Sequence, residues 1–510
     1  MLNVEESKEK TLEEKMSEEN MGSEKVSPGN RLKANMRNIG IQIKALRSNK
    51  KGLVLLIIVF LFVLQAVGQD KIAPLKYIDE LTALAGAGAM AFEFYKRLRA
   101  RGSFKNGLRE ETASWPKSLW VFLAAYALFL GMGWLSTLVN HYQPLTNVLK
   151  DCFANMKFFL TFGGAYCFFS CSAKREADET APGTFVQESA AESAEKAAMA
   201  ADKRIPFSQG SPLEDPNVCK LLFLLIRVST YILLVLTVFD EVFHCFPGDY
   251  RWGLVWCTPL SFESYAGLVA YGVFVIAMLL RLYRNLGNKV LPPLGAMMFV
   301  VLCTWRVKGI LAIALAAVLY YLFLGEHEKK LWSRIVIYAC AGASCLVGLI
   351  QFFYYYWNVS VGLSQAPRRV LSLGGPYLAG LHWPFGCGWA TYGSAFSIEP
   401  YSQVYVESGI NQVWGLSEKD HQYISDTFWP MIMGETGYIG LAAFAVVLLI
   451  FTWWIWQKRK ADKTIIIPIL FLYLYLWMMT LGESAFVHPA AVPFAFWIGL
   501  LFAECGGRKC

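Results

Sequence analysis

Long apolar runs recur along almost the whole chain after residue 51, and no other feature restricts the fold as strongly. A helix needs about 20 predominantly apolar residues to cross a bilayer, so each run is a candidate transmembrane helix. We therefore expect an all-α, polytopic integral membrane protein with about 12 transmembrane helices. The candidate spans cover residues 52–69, 77–95, 118–138, 153–172, 219–240, 262–281, 289–305, 308–325, 334–356, 427–456, 464–481 and 488–505.

The composition agrees with this class and excludes an ordinary soluble enzyme. Hydrophobic residues make up 55% of the 510 residues and charged residues only 17%, whereas soluble domains average about 25% charged residues. The formal net charge of +8 does not indicate nucleic acid, because the basic residues flank the apolar runs and form no single basic face. The first partner we expect is therefore the lipid bilayer, and nucleic acid is excluded.

Basic residues fall in alternate connections, which predicts the orientation of the chain. Short cytoplasmic loops are enriched in Lys and Arg, so the basic connections and both termini are expected on the cytoplasmic side. The first apolar run starts at Gly52 with no small-residue cleavage site after it, so we expect a retained span and no signal peptide. The basic connections carry Lys96, Arg97, Arg99, Arg101, Lys105 and Arg109; Lys174 and Arg175; Arg281 and Arg284; Lys329, Lys330 and Arg334; and Lys458, Arg459 and Lys460.

Four regions follow from these patterns. Residues 1–51 are predicted to be a charged cytoplasmic tail and a basic membrane-surface helix. Residues 52–356 hold spans one to nine and include a cytoplasmic insertion at 172–217, rich in Ala, Glu and Ser. Residues 357–426 form a large extracytoplasmic loop between spans nine and ten, which is expected to be functional because of its length and aromatic content. Residues 427–510 contain spans ten to twelve and the C-terminal tail.

Cations on the predicted outer side are the first candidate site residues. Arg306 and Lys308 lie in the turn between spans seven and eight, where positive charge is otherwise scarce. A charge at a membrane edge marks a site, an ion pair or a side chain that reaches for the interface. Arginine suits bidentate contacts with phosphate oxygens. Arg251, in the outer sequence DYRWGL, is a weaker candidate with a surface ion pair to Asp249 as the alternative.

The large outer loop adds two motifs. APRRVLSLGGPYLAGLHWP predicts a helix with Pro367 in its first turn, and one of Arg368 and Arg369 is expected to face a cavity. The Gly-rich sequence PFGCGWATYGS at residues 384–394 indicates tight turns beneath aromatic rings, because no strand precedes it as in a phosphate-binding loop. Two roles are equally open for the aromatic residues, stacking on sugars or a membrane-interface belt: Trp383, Trp389, Tyr392 and Trp414.

Histidines and cysteines indicate no metal centre. No two histidines have ligand spacing on one helix, and no paired CxxC is present. His421 stands out because Asp420 and Asp426 flank it just before the tenth span. Cys245 and Cys257 share an outer connection, and a disulfide and two thiols are both open for them.

The ordered set of motifs resembles a known family. RVKGI after span seven, the Arg369 stretch leading to PFGCGWATYGS, and YISDTFWPMIMGETGYIGL together resemble the O-antigen ligase and polymerase family of bacterial cell-surface glycan enzymes. KYIDELTAL and LKDCFANMKFFL are similar to its polymerase branch. The resemblance implies a GT-C-like membrane fold and an inverting glycosyl transfer without metal or cofactor. The donor would be an undecaprenyl-diphosphate-linked oligosaccharide, and the active site would face outward from the bacterial cytoplasmic membrane.

The resemblance also implies roles for individual residues. Arg306 and Arg369 would stabilise the diphosphate leaving group, and His421 would activate the acceptor hydroxyl. A glutamine follows this histidine where ligases have asparagine, so Asp420 and Asp426 are alternatives for the base. Together the expected catalytic residues are Arg306, Arg369, His421 and Asp426, and the expected substrate-binding residues are Lys308, Arg251, Arg368, Asp420, Trp389 and Tyr392.

Three functions remain in competition. A polymerase of oligosaccharide repeat units is favoured, since SDTFWP and GCGWATYGS resemble polymerases more than ligases. A ligase would transfer the lipid-linked glycan to a lipid or wall acceptor. A flippase or other transporter often contains two similar halves, but no internal repeat is visible here and the notable charges gather on one side. A chain-length regulator and a flippase are candidate partners of the polymerase.

Overall fold

A computed structural model describes residues 49–68, 71–100, 112–113, 115–170, 211–321 and 366–506, except 252–254, 261 and 263, with isolated residues between 335 and 353. Almost all of the predicted tail at 1–51 and most of the insertion at 172–217 lie outside these ranges. The same holds for most of the ninth predicted span and for the side chain of Arg251.

Helices make up most of the described chain, and a helix lies within each predicted span; the few described residues of the ninth span are helical as well. Their bounds differ from the predicted spans by a few residues at most ends, and α4 begins eight residues early because it continues outward from its span. The helices are α1 (Lys50–Gly68), α2 (Ile78–Ala100), α3 (Lys117–Asn140), α4 (Leu145–Ser170), α5 (Pro216–Phe243), α6 (Tyr265–Leu286), α7 (Leu291–Cys303), α8 (Val307–Leu319), α9 (Pro367–Leu381), α10 (Gln403–Glu407), α11 (Trp429–Gln457), α12 (Lys463–Met479) and α13 (Ala491–Gly506).

Five helical runs in the described ranges are long and apolar enough to cross a membrane. The helices α8, α12 and α13 are apolar but shorter, and α7 continues from α6 through a short 3-10 turn at Gly287–Val290. These features support the expected all-α membrane class. The five runs are Lys50–Gly68, Lys117–Asn140, Pro216–Phe243, Tyr265–Cys303 and Trp429–Lys460.

Small residues let the helices approach one another closely in the core. Gly164 of α4 lies against the backbone of Gly86 in α2, and Gly499 of α13 lies against the carbonyl group of Phe162 in α4. Glycines at such crossings favour helix association inside a membrane, because backbones can pack directly. The helix α4 is therefore the central element, with α2 and α13 on its sides.

A buried ion pair joins two helices near the predicted cytoplasmic side. Arg281 belongs to α6 and is 0% exposed, in contrast to its assignment to a basic loop. Its Nε and Nη2 atoms donate to the two carboxylate oxygens of Glu504 in α13, at 2.9 and 2.6 Å. The pair is bidentate, which is the geometry that a buried arginine needs to offset its desolvation.

A small hairpin follows α5 on the predicted outer side. Its strands are β1 (Asp249–Arg251) and β2 (Val255–Cys257), which pair antiparallel. The buried carboxylate of Asp240 holds the hairpin, because it accepts hydrogen bonds from the Phe246 amide at 2.7 Å and the Trp256 indole at 2.9 Å. No disulfide joins Cys245 and Cys257, both within the described part of the chain.

The hairpin gives a direct test of orientation. Cys245 is exposed and Cys257 is buried, so a membrane-impermeant maleimide added to right-side-out vesicles is expected to label Cys245 only. Peptide mass spectrometry measures both sites, and labelling after denaturation provides the control for Cys257. A cross-linked peptide under non-reducing conditions would contradict the two thiols, and labelling of Cys245 in inside-out vesicles alone would contradict the orientation.

Candidate functional site

The outer segment starts with the predicted helix and then enters the protein interior. The helix α9 begins at Pro367 as predicted and packs on α11, where Gly375 lies against the backbone of Pro430. Residues 384–394, which we call the Gly-rich segment, then pass between α3, α4 and α11. The amide groups of Cys387 and Gly388 donate to backbone carbonyls of α11 at 2.8 and 2.9 Å.

A break in α11 makes room for this crossing. Gly437 has φ 69° and ψ −175°, outside helical values, and the backbone of Phe385 and Gly386 lies directly against it. A side chain at position 437 would collide with the Phe385 carbonyl carbon at 2.7 Å. Only glycine combines this positive φ with such a close approach.

Two fully buried carboxyl groups hold the Gly-rich segment. Asp151 of α4 accepts hydrogen bonds from the Ala390 amide at 2.7 Å and the Ser394 hydroxyl at 2.8 Å. Glu435 of α11 accepts from the Thr391 amide at 3.2 Å. Both acids are 0% exposed. The carboxyl groups therefore serve as acceptors for a buried turn, and their sequence signal was an acid inside an apolar helix.

Two of the four aromatic residues singled out in the sequence are buried with the Gly-rich segment. Trp389 and Tyr392 are both 0% exposed, contrary to the expectation that their rings stack on sugars. The Tyr392 hydroxyl donates to the Leu371 carbonyl at 2.6 Å, which ties the segment to α9. Trp383 and Trp414 are exposed and remain candidates for contacts with sugars or lipids.

Two ion pairs form what we call the outer cluster, which consists of Lys308, Arg368, Asp426 and Glu483. The guanidinium group of Arg368 donates from Nη2 and Nε to Asp426 Oδ2, at 2.7 and 3.2 Å. Lys308 Nζ donates to Glu483 Oε1. Gly482 lies beside the guanidinium group of Arg368, so the two pairs are neighbours. The cluster joins four segments that are far apart in the sequence.

The two acids of the outer cluster differ in their proton affinity. Burial raises the pKa of Asp426 above its usual range, although Arg368 acts in the opposite direction. Burial also acts to raise the pKa of Glu483, but Lys308 and other nearby cations outweigh it, so this pKa is lowered. Asp426 therefore holds a proton more readily than an ordinary aspartate, whereas Glu483 stays charged.

Arg306 lies at the N-terminus of α8, two residues before Lys308. Its guanidinium carbon is 4.1 Å from the ring centroid of Tyr265, the first residue of α6. This cation–π contact fixes Arg306 at the predicted outer end of two helices. The structure thus brings Lys308, Arg368 and Asp426 together in the outer cluster, whereas Arg306 contacts Tyr265 two residues before Lys308.

A mainly apolar cavity of about 380 Å³, with a few charged and polar groups in its wall, lies next to the outer cluster, although none of the four cluster residues lines it. We call it the outer cavity. Ser425 and Ser484 line it, and each is the chain neighbour of one acid of the outer cluster. Its other polar lining residues include Lys76, Glu80, Ser394 and His488. The lining comes from segments that the sequence places on or near one side of the membrane.

A further ion pair, which the sequence analysis missed, lies in the wall of the outer cavity. Lys157 of α4 donates to Asp79 of α2 at 2.6 Å, and both side chains are almost completely buried. Gln65 of α1 donates to the other carboxylate oxygen of Asp79 at 3.0 Å. The signal was available, because Lys157 interrupts the apolar sequence CFANMKFFL and a charge there is costly without a partner.

Three predicted site residues lie outside this arrangement. His421 is partly exposed, and its Nδ1 atom lies 3.1 Å from the Glu418 carbonyl oxygen. Asp420 accepts from Gln422 at 3.1 Å. Arg369 is half-buried in the first turn of α9, beside Arg368. None of the three lines the outer cavity.

No metal-binding group of three His, Cys, Asp or Glu residues is found among the residues that the structure describes. No known protein family model matches the chain, and no curated protein matches it either.

Proposed function

We propose that this protein polymerises undecaprenyl-diphosphate-linked oligosaccharide repeat units at the outer face of the bacterial cytoplasmic membrane. The observation that carries the proposal is the outer cluster, where the Lys308–Glu483 and Arg368–Asp426 pairs lie side by side next to a cavity of about 380 Å³. Fixed cations at a membrane edge suit a diphosphate group, and a cavity with apolar walls and a few polar groups is the usual form of a ligand site. The reaction is an inverting glycosyl transfer that uses no metal.

The proposed topology has twelve spans, cytoplasmic termini and the loop 357–426 on the outside. The residues that line the outer cavity are consistent with this topology, because they come from helix halves and connections with the same predicted side. They belong to the end of α1, the first halves of α2, α4, α6, α11 and α13, and the connections near 394–396, 425 and 484–490. A donor carried by a membrane lipid would reach them from the outer leaflet.

The cations would stabilise the leaving group. When the bond between the sugar C1 and the diphosphate oxygen breaks, negative charge develops on the diphosphate. Arg306, Lys308 and Arg368 present donors to this charge without a metal, and Arg369 and Arg251 are further candidates. Phosphate oxygens that bind Arg368 would replace the Asp426 carboxylate, which now occupies its Nη2 atom.

This replacement makes Asp426 the favoured base. A carboxylate released from Arg368 in a buried place, with its pKa already raised, accepts a proton better than an exposed aspartate does. The acceptor hydroxyl would attack the sugar C1 on the face opposite to the diphosphate and pass its proton to Asp426. His421, through its Nε2 atom, and Asp420 are the alternative bases.

A transporter of lipid-linked oligosaccharides is the second candidate. The buried Lys157–Asp79 pair favours it, because ion pairs inside a membrane often mark transport pathways. The polymerase is preferred, since the outer cluster, with its two cations and two acids of perturbed pKa, lies next to the outer cavity on one predicted side of the membrane. The ligase differs from the polymerase only in its acceptor.

A glycan profile distinguishes these functions. Cells that lack the protein, and cells complemented with the natural chain, are compared by gel analysis of surface and lipid-linked glycans. For a polymerase we expect single repeat units on the final acceptor when the protein is missing. Long chains that accumulate on the carrier lipid would indicate a ligase, and repeat units trapped on the cytoplasmic side would indicate a flippase.

The pH dependence tests the base. Because the pKa of Asp426 is raised, activity is expected to fall on the acidic side at a higher pH than an ordinary aspartate would give. Asp426→Asn is expected to abolish most activity, and His421→Ala to leave the acidic limb in place. The measurement is the rate of chain extension in membranes from pH 4 to pH 8, a range set by ordinary carboxyl and histidine pKa values of about 3.9 and 6.5. An unchanged acidic limb in Asp426→Asn membranes would assign the base elsewhere.

A further inference from the structure

A second cavity, of about 320 Å³, lies at the opposite end of the molecule. We call it the inner cavity. It opens between the first turns of α5 and the last turns of α6, on the side that the basic connections predict to be cytoplasmic. Its lining residues are Glu214, Pro216, Cys219, Lys220, Arg281, Arg284, Asn285 and Leu286.

An incompletely bonded arginine lies in the wall of the inner cavity. Arg281 is 0% exposed, and Glu504 occupies its Nε and Nη2 atoms. Its Nη1 atom has no hydrogen-bond partner among the residues described. A buried N–H group without an acceptor is costly, and more so when it is charged. Arg281 Nη1 therefore needs an oxygen acceptor, which a ligand in the inner cavity would supply.

Two further cations stand closer to the mouth. Arg284 lies one helical turn after Arg281, and its Nη1 atom is 3.1 Å from Asp462, with both side chains about a third exposed. Asp462 also accepts from the amide and hydroxyl groups of Thr464, so it keeps partners if Arg284 turns away. Lys220 is exposed at the mouth.

The acids around the inner cavity are already engaged. Glu504 is bonded to Arg281, and Asp215 caps α5 through the Asn217 amide and accepts from Asn49. Glu214 is exposed at the mouth, opposite in charge to Lys220. The interior thus offers donors, whereas the acceptors on its walls are already bonded within the protein.

We propose that the inner cavity binds a phosphate-type oxyanion, held by Arg281 Nη1, Arg284 and Lys220. Basic cavities between helices at the cytoplasmic membrane surface suit anionic lipid headgroups. An anionic phospholipid of the inner leaflet and free phosphate are the two sources of this chemistry. The site is separate from the outer cluster, so it does not depend on the proposed function.

Lipid binding to the purified full-length protein tests this proposal. Native mass spectrometry from detergent compares phosphatidylglycerol with phosphatidylcholine, whose trimethylammonium group would be repelled by Lys220 and Arg284. Inorganic phosphate, added alone and as a competitor, separates the two sources. The test variant is the double substitution Lys220→Gln with Arg284→Gln, since Arg281 is needed for its pair with Glu504.

The control removes the same charge from the same side of the membrane. Lys289→Gln with Arg459→Gln alters two exposed cations at predicted cytoplasmic connections, outside the inner cavity. We expect phosphatidylglycerol to bind about tenfold more tightly than phosphatidylcholine, the test variant to lose this preference, and the control to keep it. Phosphate binding that is lost only in the test variant, without lipid preference, would also support the site and assign free phosphate as its source.

Two outcomes would overturn the proposal. One is equal binding of both lipids together with no binding of phosphate. The other is the same loss in the test and control variants, which would mean that charge near the membrane surface, and not the inner cavity, attracts the lipid.

Discussion

Replacing Arg368 with alanine is expected to lower the formation of long glycan chains by roughly 10²- to 10³-fold, which is the typical effect of removing one donor to a developing oxyanion. Arg368 is the only described residue whose guanidinium group forms an ion pair with Asp426. The substitution would remove a proposed contact with the diphosphate, and it would leave the partly buried carboxylate of Asp426 without its cation. The measurement is the chain-length profile of cells that carry the variant, with protein abundance in the membrane measured in parallel.

Arginine variants at neighbouring places make this test specific. Arg306→Ala is expected to cause a loss of similar size, because Arg306 lies at the predicted outer end of α8. The family resemblance assigns the diphosphate contact to Arg369, whereas the ion pair with Asp426 assigns it to Arg368. Comparing Arg369→Ala with Arg368→Ala shows which of the two adjacent arginines binds the diphosphate. Arg459→Ala is the matched control, because Arg459 contacts Trp456 at the predicted cytoplasmic end of α11. Natural chain length in both Arg306→Ala and Arg368→Ala would reject the proposed function.

Replacing Asp151 with alanine is expected to destabilise the protein by roughly 2–6 kcal/mol. The change would leave two buried donors, the Ala390 amide and the Ser394 hydroxyl, without their acceptor, and each such loss costs about 1–3 kcal/mol. Asp151→Asn keeps one acceptor oxygen, so about half of the loss is expected. Thermal unfolding in detergent measures the effect.

Glu435→Ala and Glu435→Gln form a parallel pair on the other side of the Gly-rich segment. The alanine variant removes the acceptor of the Thr391 amide, whereas glutamine retains an oxygen at the same place. Glu399→Ala is the control, since Glu399 is an exposed acid in the same outer segment. If all acid variants unfolded at the temperature of the control, the buried carboxyl groups would have no role in holding the segment.

The sequence was sufficient for those features that depend on local composition. The five long apolar helical runs could be placed from hydropathy, and α9 from Pro367 in its first turn, because the chemistry that starts a helix lies within that helix. The candidate cations could be found because charge at a membrane edge is rare. These predictions needed no knowledge of how the helices pack.

The missed features depend on contacts between distant parts of the chain. Lys157 meets Asp79 across 78 residues, and Arg281 meets Glu504 across 223 residues. Hydropathy assigns a position to the membrane but does not assign a partner to a charge. For the same reason it could not distinguish Arg368 from Arg369, or a buried Trp389 from one at the surface.

The path of the Gly-rich segment has a consequence for the biogenesis of the protein. Residues 384–394 leave the ribosome before α11, so in the proposed topology they cross the membrane before Glu435 and Gly437 have been inserted. Asp151 can accept its two hydrogen bonds early, but the remaining donors find their acceptors only after α11 has entered the membrane. In that topology the Gly-rich segment packs into the helix bundle from the outer side, and its packing is complete only after α11 has been inserted. Translation arrested before residue 429 would yield an insertion intermediate with an open bundle, which is the form that membrane chaperones and quality-control proteases would encounter.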